Sequence, residues 1–291
     1  MDADECLRTG QQFIGQREFG EALRWFDKAI AIDEKLVEAW WRRGIVLTTA
    51  GDLDQAVASF DRAIALDPAC GPAWQHKGSA LRAAERPAEA LACHVEAARL
   101  DPHDHEAWAL AAECLEQLDR LPEAIDCLEK VVALAPTMSV YRMRLARLRL
   151  RTRDWPGALA AADGALEIDP DHAEARALRA RALCGLGRID EAVADAEFAI
   201  EERPNLAGGW LARGIARAAE GDADAAMRDF DQGIRADRAC GEAYALRATA
   251  WLEKGKLRKA EKDLEMALRL GHWPDAEIIR RFQAAGGRWE E

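Results

Sequence analysis

The chain lacks net positive charge, long apolar runs and cysteines at metal-binding or disulfide spacing. Its 52 acidic residues exceed its 40 basic residues, and the formal net charge is −12. A protein that binds nucleic acid or an anionic membrane surface needs positive charge to meet phosphate, so neither partner is expected. No segment approaches the ~18 consecutive apolar residues of a membrane-spanning helix.

Cysteine usage and the first residues indicate a cellular compartment. The 7 cysteines are odd in number and include no Cys-x-x-Cys pair, which disfavours a disulfide framework. The chain starts Met-Asp-Ala-Asp-Glu-Cys, with acid where a secretory signal peptide carries base. We therefore expect a cytoplasmic protein whose cysteines are reduced.

What the chain has instead is one uninterrupted sequence period. Alanine stands at every 34th position from Ala22 to Ala260, and glycine or alanine stands twelve residues before each of them. A fixed period of this length is typical of stacked two-helix repeats. It predicts eight tandem repeats over 3-274, namely 3-36, 37-70, 71-104, 105-138, 139-172, 173-206, 207-240 and 241-274.

Each repeat carries the signals of two helices, A and B, joined by short turns. Large aromatic residues recur at position 4 of helix A, at Trp40, Trp74, Trp108, Trp210 and Tyr244. Glycine at position 15 ends helix A in a left-handed conformation, at Gly51, Gly187, Gly221 and Gly255. Proline at position 32 stops helix B, at Pro68, Pro102, Pro136, Pro170 and Pro204. The prediction is an all-α fold, an α-α superhelix (solenoid) of antiparallel helix pairs.

This combination of an aromatic at 4, a small residue at 8, alanine at 20, phenylalanine at 24 and proline at 32 resembles the tetratricopeptide repeat. Two departures stand out. Repeats five and six carry Arg142 and Arg176 in place of the aromatic, so we expect them to be the least well packed. Position 7, usually leucine in the family, is basic in five repeats, at Arg43, Lys77, Arg179, Arg213 and Arg247. We expect their stems to cover apolar surface with the charged ends in water.

The segment after the eighth repeat, residues 275-291, reads as a C-terminal capping helix and a short tail. Ile278, Ile279 and Phe282 fall on one face of this helix. A solenoid needs such an element because its last repeat otherwise exposes its apolar side.

The resemblance implies a concave groove, lined by helix A of each repeat, that holds a peptide. Three groups of residues on this predicted face are candidates for partner binding. They are a basic cluster (Arg144, Arg147, Arg151 and Arg181), an apolar floor (Leu211, Ile215 and Leu246, with Ala212 and Ala245) and a rim (Trp41 and Arg42). A cationic centre beside an apolar end suits a partner segment with carboxylates and a hydrophobic anchor. We therefore predict a non-enzymatic protein-protein interaction scaffold or adaptor.

Each candidate has a plainer interpretation. The arginines can pair with Glu113, Glu116 and Glu174 on neighbouring A helices. Trp41 can pack against the next helix instead of a partner. The alternative function is a structural scaffold that self-associates, in which the tail residues Trp289, Glu290 and Glu291 occupy a groove.

Catalytic and metal sites are not expected, and no cofactor is predicted. Glycine-rich phosphate loops and nucleophile elbows are missing, and the segments outside the repeats are too short for a catalytic domain. Cys93, His94 and Cys127 come closest to a metal set but lack a clear fourth ligand. The carboxylate clamp of chaperone-binding relatives is also missing, because Leu7 and Arg42 stand where that clamp has lysine and asparagine.

Overall fold

The computed structural model of the chain describes residues 1–289, so the tail residues Glu290 and Glu291 of the self-association alternative lie outside it. This described part forms seventeen α-helices and contains no strand. The helices are α1 (Ala3–Gly15), α2 (Phe19–Ile32), α3 (Val37–Ala50), α4 (Leu53–Leu66), α5 (Gly71–Ala83), α6 (Pro87–Leu100), α7 (His105–Gln117), α8 (Leu121–Leu134), α9 (Ser139–Arg151), α10 (Trp155–Leu166), α11 (Ala173–Gly185), α12 (Ile189–Glu202), α13 (Ala207–Ala219), α14 (Ala223–Ala236), α15 (Gly241–Glu253), α16 (Leu257–Arg269) and α17 (Ala276–Ala284).

The chain divides into two compact units, Met1–Pro136 with α1 to α8 and Thr137–Glu291 with α9 to α17. Successive odd-numbered helices begin exactly one sequence period apart, from Ala3 in α1 to Gly241 in α15. Within each unit, each odd-numbered helix up to α15 packs against the helix that follows it. Helices α1, α3 and α5 also pack in series, as do α9, α11, α13 and α15, whereas consecutive even-numbered helices of the described chain do not. The A helices therefore line the inner, concave side of each unit.

The small residues at positions 8 and 20 explain how closely the two helices of a repeat approach. All eight alanines at position 20 are fully buried, namely Ala22, Ala56, Ala90, Ala124, Ala158, Ala192, Ala226 and Ala260. A Cβ atom added at Gly44 would lie 2.6 Å from the ring of Phe60, which is closer than real Cβ contacts. The aromatic ring at position 24 thus fills the space that the missing side chain at position 8 leaves.

The turn after helix A takes a left-handed residue at position 15 in every repeat. The prediction for the glycines is confirmed, with φ of 84° at Gly51 and 73° at Gly187. The other four repeats reach the same conformation without glycine, with φ between 55° and 62° at Arg17, Glu85, Asp119 and Arg153. A side chain in this conformation costs about 1–2 kcal/mol, so repeat packing holds these four turns against local strain.

The aromatic at position 4 has a polar role besides packing. Trp74 donates its indole N–H to the carbonyl of Pro68 at 3.0 Å, and Trp210 donates to Pro204 at 2.8 Å. Arg176 replaces the aromatic in repeat six and donates from Nε to the carbonyl of Pro170 at 3.2 Å. Its guanidinium carbon also lies 4.5 Å from the ring centroid of Phe198. Repeat six therefore keeps this anchor between helix A and the preceding turn.

The basic residues at position 7 lie over aromatic side chains in three repeats, as expected, but their charged ends form ion pairs, which corrects the expectation that these ends lie in water. Arg247 donates to Asp263 of its own helix B and to Asp231 of the preceding helix B, at 2.6 Å each. The same position forms ion pairs along both units, in Arg43–Asp27, Lys77–Asp61, Arg179–Asp163, Arg179–Asp195, Arg213–Glu197 and Arg213–Asp229. This ion-pair ladder joins consecutive repeats, and the hydrogen bond to Asp195 raises the pKa of Arg179.

The last helix covers the end of the second unit. Ile278 and Phe282 of α17 are buried in a cluster with residues of α15 and α16. The ring of Trp289 packs edge-on against Phe282, with centroids 6.3 Å apart. Helix α17 thus covers the apolar side of the last repeat, and Trp289 packs against α17.

Candidate functional site

The concave side of the second unit contains a cavity of about 340 Å³. Helices α9, α11, α13 and α15 and the turns before α13 and α15 form its wall. This cavity, called the groove cavity below, is lined by Arg147, Glu174, Ala177, Leu178, Arg181, Asn205, Leu206, Ala207, Gly208, Leu211, Asp237, Cys240 and Glu242. Its volume lies at the lower end of the range for ligand pockets, about 300–1,000 Å³.

Two arginines of the predicted basic cluster lie in this cavity, and both are paired. Arg147 donates to Glu174 of the next A helix at 3.0 Å, as the plainer interpretation proposed. Arg181 binds Glu242, two repeats further along the chain, through both oxygens of the carboxylate. The side chains of Arg181 and Glu242 are 23% and 30% exposed, so this pair is partly shielded from solvent.

The floor of the groove cavity is apolar and closely packed. Leu178 and Leu211 are buried, and Leu206 lies in the turn directly before α13. Gly208 leaves open space, since an added Cβ atom would meet only the Cβ of Ala177 at 3.5 Å. Because Gly208 has no side chain, the space beside the floor stays open. A small aliphatic group fits there.

The remaining members of the predicted second-unit site lie outside the lining of the groove cavity. Arg144 and Arg151 each have interactions of their own and do not line the cavity. Ile215 and Leu246 pack, half-buried, against the cluster around Phe230. Of the predicted floor, Leu211 lines the cavity.

The predicted rim residues of the first unit form a local cluster. Trp41 stacks on His76 of the next A helix, with ring centroids 6.0 Å apart and planes 5° from parallel. Arg42 lies over Trp41 at 4.5 Å and pairs with Glu38 at 2.7 Å. Burial, with the charge of Arg42 adding to it, lowers the pKa of His76. Trp41 thus packs within the chain and leaves part of its surface at the concave face.

His94, one of the candidate metal ligands near Cys93, packs against Gly78 inside its repeat. The imidazole of His94 is fully buried and takes the place of the phenylalanine at position 24, with its Cε1 2.5 Å from where a Cβ of Gly78 would lie. Desolvation, and then the charge of Arg82, lowers the pKa of His94 to about 4. Within residues 1–289, no group of three or more His, Cys, Asp or Glu side chains is placed to hold a metal ion.

The same described range contains no helix with the length and apolar character needed to cross a bilayer.

Sequence reasoning missed the Arg181–Glu242 pair and the ion-pair ladder. The ladder had a signal, because the basic residue at position 7 is followed at one fixed spacing by aspartate in three repeats, at Asp195, Asp229 and Asp263. No local signal exists for Arg181–Glu242, whose partners are 61 residues apart.

Comparison with known proteins agrees with this architecture. Profiles described as tetratricopeptide repeat match residues 37–70, 81–148 and 149–194. Among curated proteins, none matches the chain in sequence.

Solved structures share the fold at low sequence identity. A tetratricopeptide repeat protein from Parabacteroides merdae aligns over 86% of this chain and 99% of its own, with 18% identity and a TM-score of 0.73. MamA from Desulfovibrio magneticus, from residue 41 to its end, aligns over 58% and 96%, with 24% identity and a TM-score of 0.53. PilF from Pseudomonas aeruginosa aligns over 69% and 92%, with 19% identity and a TM-score of 0.55. From its repeat pattern, its helices and these profile matches, the chain belongs to the tetratricopeptide repeat family.

Proposed function

We propose that the chain is a protein-protein interaction scaffold that holds a segment of a partner protein in the groove cavity of its second unit. Membership of the tetratricopeptide repeat family implies a scaffold for protein-protein interaction, and members are generally not catalysts. The finer assignment to this cavity depends on one observation. Three leucines, Leu178, Leu206 and Leu211, line the same cavity as the two arginines Arg147 and Arg181.

The chemistry of the cavity supports a partner segment with carboxylates and a hydrophobic anchor. An aliphatic side chain gains free energy by leaving water for the leucine floor. Arginine presents several N–H donors in a plane and binds carboxylates through two hydrogen bonds. Arg147, half exposed, and Arg181, which is less exposed, supply these donors. Seven free cysteines support a reducing location such as the cytoplasm.

The test fills the cavity without disturbing the fold. Gly208→Leu places a side chain in the open space at the second residue of α13, while Gly20→Leu does the same at the second residue of α2, where nothing lies within 4 Å. We expect the partner that the wild-type chain captures, once identified by crosslinking, to lose at least tenfold in affinity for Gly208→Leu. Its affinity for Gly20→Leu should stay unchanged.

Equal affinity of the partner for both variants would contradict the proposed site. Light scattering over a concentration series distinguishes the alternative, a self-associating scaffold. In that case the wild-type mass rises with concentration, and Gly208→Leu lowers it if the groove cavity is the contact. Trp289 packs against Phe282 in its own chain, so the tail would have to release that contact first.

A further inference from the structure

The ion pair Arg181–Glu242 connects two helices that are not neighbours. Arg181 lies on α11 and Glu242 on α15, and α13 packs between them. A link from α11 to α15 must therefore cross the concave face of α13. Ala212 of α13 and Ala245 of α15 were predicted for the groove floor, but they are buried in the packing clusters between helices, at 0% and 1% exposure. The pair forms a strap at the groove cavity, which it lines together with the apolar side chains of Leu178, Leu206 and Leu211.

Arg181 already holds the chemical group that the proposed partner would bring. Glu242 gives its guanidinium a carboxylate in the two-point geometry that arginine prefers. A neutral ligand that opened the strap would leave the partly shielded guanidinium of Arg181 without a counter-ion, which is unfavourable. A ligand carboxylate that replaced Glu242 on Arg181 would restore the lost interaction.

Glu242 remains in a favourable position after it releases Arg181. Glu242 is the second residue of α15, where the helix dipole and free backbone N–H groups stabilise a carboxylate. The exchange therefore replaces one carboxylate by another on Arg181 and leaves Glu242 in a solvated, favourable position. The other ion pair that lines the cavity, Arg147–Glu174, is more exposed, at 49% and 33%, and opposes entry less.

We propose that Glu242 is a built-in competitor for the partner's carboxylate, so that a partner enters the groove cavity only by replacing Glu242 on Arg181. This inference rests on the proposed function and adds a specificity-determining residue to it. The partner class is an acidic segment with an aliphatic side chain next to its carboxylate. Neutral apolar segments are rejected, because they cannot pair with Arg181.

Two measurements test the proposal on the full chain. Glu242→Gln keeps the shape of the side chain and removes its charge. Its matched control is Glu38→Gln, at the same repeat position, where the glutamate pairs with Arg42 inside a single helix. The first measurement uses Cys240, a half-exposed thiol that lines the groove cavity, as a reporter of the strap.

We expect iodoacetamide to alkylate Cys240 severalfold faster in Glu242→Gln than in the wild type or in Glu38→Gln, as read by peptide mass. Salt should accelerate the wild-type reaction, because it screens the strap. An unchanged rate at Cys240 would overturn the strap, whatever binds in the cavity. The rate at Cys70, in the first unit, serves as the internal reference when the wild type and Glu242→Gln are compared.

The second measurement uses two labelled hexapeptides, acetylated and amidated, in which leucine alternates with either glutamate or glutamine. Glu242→Gln should bind the glutamate peptide about tenfold more tightly than the wild type, a change of about 1.4 kcal/mol. The glutamine peptide should show no such gain. Equal affinity of the glutamate peptide for both proteins, or no binding to either, would overturn the competitor role, and so would an equal gain for the glutamine peptide.

The outcomes separate this inference from the proposed function. If Gly208→Leu no longer binds the natural partner and Glu242→Gln shows no gain in affinity for the glutamate peptide, the cavity remains the site and Glu242 is not a competitor. Retention of the partner in Gly208→Leu would reject the site itself.

Discussion

Arg213 of α13 donates two hydrogen bonds to Asp229 of α14, from Nε at 3.1 Å and from Nη2 at 2.9 Å. The carboxylate is only 2% exposed and also accepts a hydrogen bond from Arg217 at 2.8 Å. The same relationship recurs one repeat later in Arg247 and Asp263. The family's usual leucine at position 7 is thus replaced here by a buried ionic contact between the two helices of a repeat.

This contact predicts the cost of removing its buried acid. Asp229→Asn takes the charged partner from Arg217 and leaves Arg213 with only the more exposed Glu197, so we expect the free energy of unfolding to fall by about 3 kcal/mol. Glu197→Gln removes the more exposed partner of Arg213, at 48% exposure, and should cost less than about 1 kcal/mol. Urea denaturation followed by circular dichroism measures both. Equal losses of unfolding free energy would show that the burial of Asp229 does not increase the cost of removing its charge.

The buried imidazole of His94 predicts a pH dependence of stability. Neither ring nitrogen has a hydrogen-bond partner within the described chain, and the folded pKa is about 4 against an ordinary value of 6.5. As pH falls below 6.5 the unfolded chain binds a proton that the folded chain refuses, so stability is lost between pH 6.5 and pH 4. The loss amounts to about 3 kcal/mol.

His94→Phe restores the phenylalanine that repeats one, two and seven carry at this position and should remove that part of the pH dependence. Unfolding free energies at pH 7 and pH 4.5 for the wild type and the variant measure the difference. The exposed His103, replaced by glutamine, is the control and should leave the wild-type slope intact. If the unfolding free energy of His94→Phe falls with pH as steeply as that of the wild type, groups other than His94 cause the pH dependence.

The left-handed turn at Glu85 predicts a stabilising substitution. Its φ of 57° strains a residue with a side chain, and glycine adopts this conformation freely. We expect Glu85→Gly to raise the melting temperature by a few degrees, in line with a gain of up to about 1 kcal/mol. Glu85→Ala keeps the strain and should not raise it. A Glu85→Ala chain as stable as Glu85→Gly would mean that the turn is not strained.

The sequence predicted the fold because its signals are local and periodic. The helix starts follow the period of small residues, and Gly51 and Gly187 end helix A as expected. The four left-handed turns without glycine could not be predicted, since packing between helices imposes a conformation that the local residues disfavour. The division into two compact units at Pro136 has no signal either, because the sequence period continues through it.

The site was predicted only in part, for a related reason. The period placed Arg147, Arg181 and Leu211 on the concave side, and these residues do line one cavity. Whether an arginine there is open or paired depends on residues far away in the chain, such as Glu242 for Arg181. Charge patterns within one helix carry no information on that pairing.

The central claim is that a partner segment occupies the groove cavity of the second unit. Hydrogen exchange of the full chain, measured by mass spectrometry with and without the captured partner, tests it most directly. The claim predicts slower exchange in the two turns that line the cavity, at residues 205–208 and 237–242, with little change in the even-numbered helices. Protection confined to the even-numbered helices, or unchanged exchange in both turns, would contradict it.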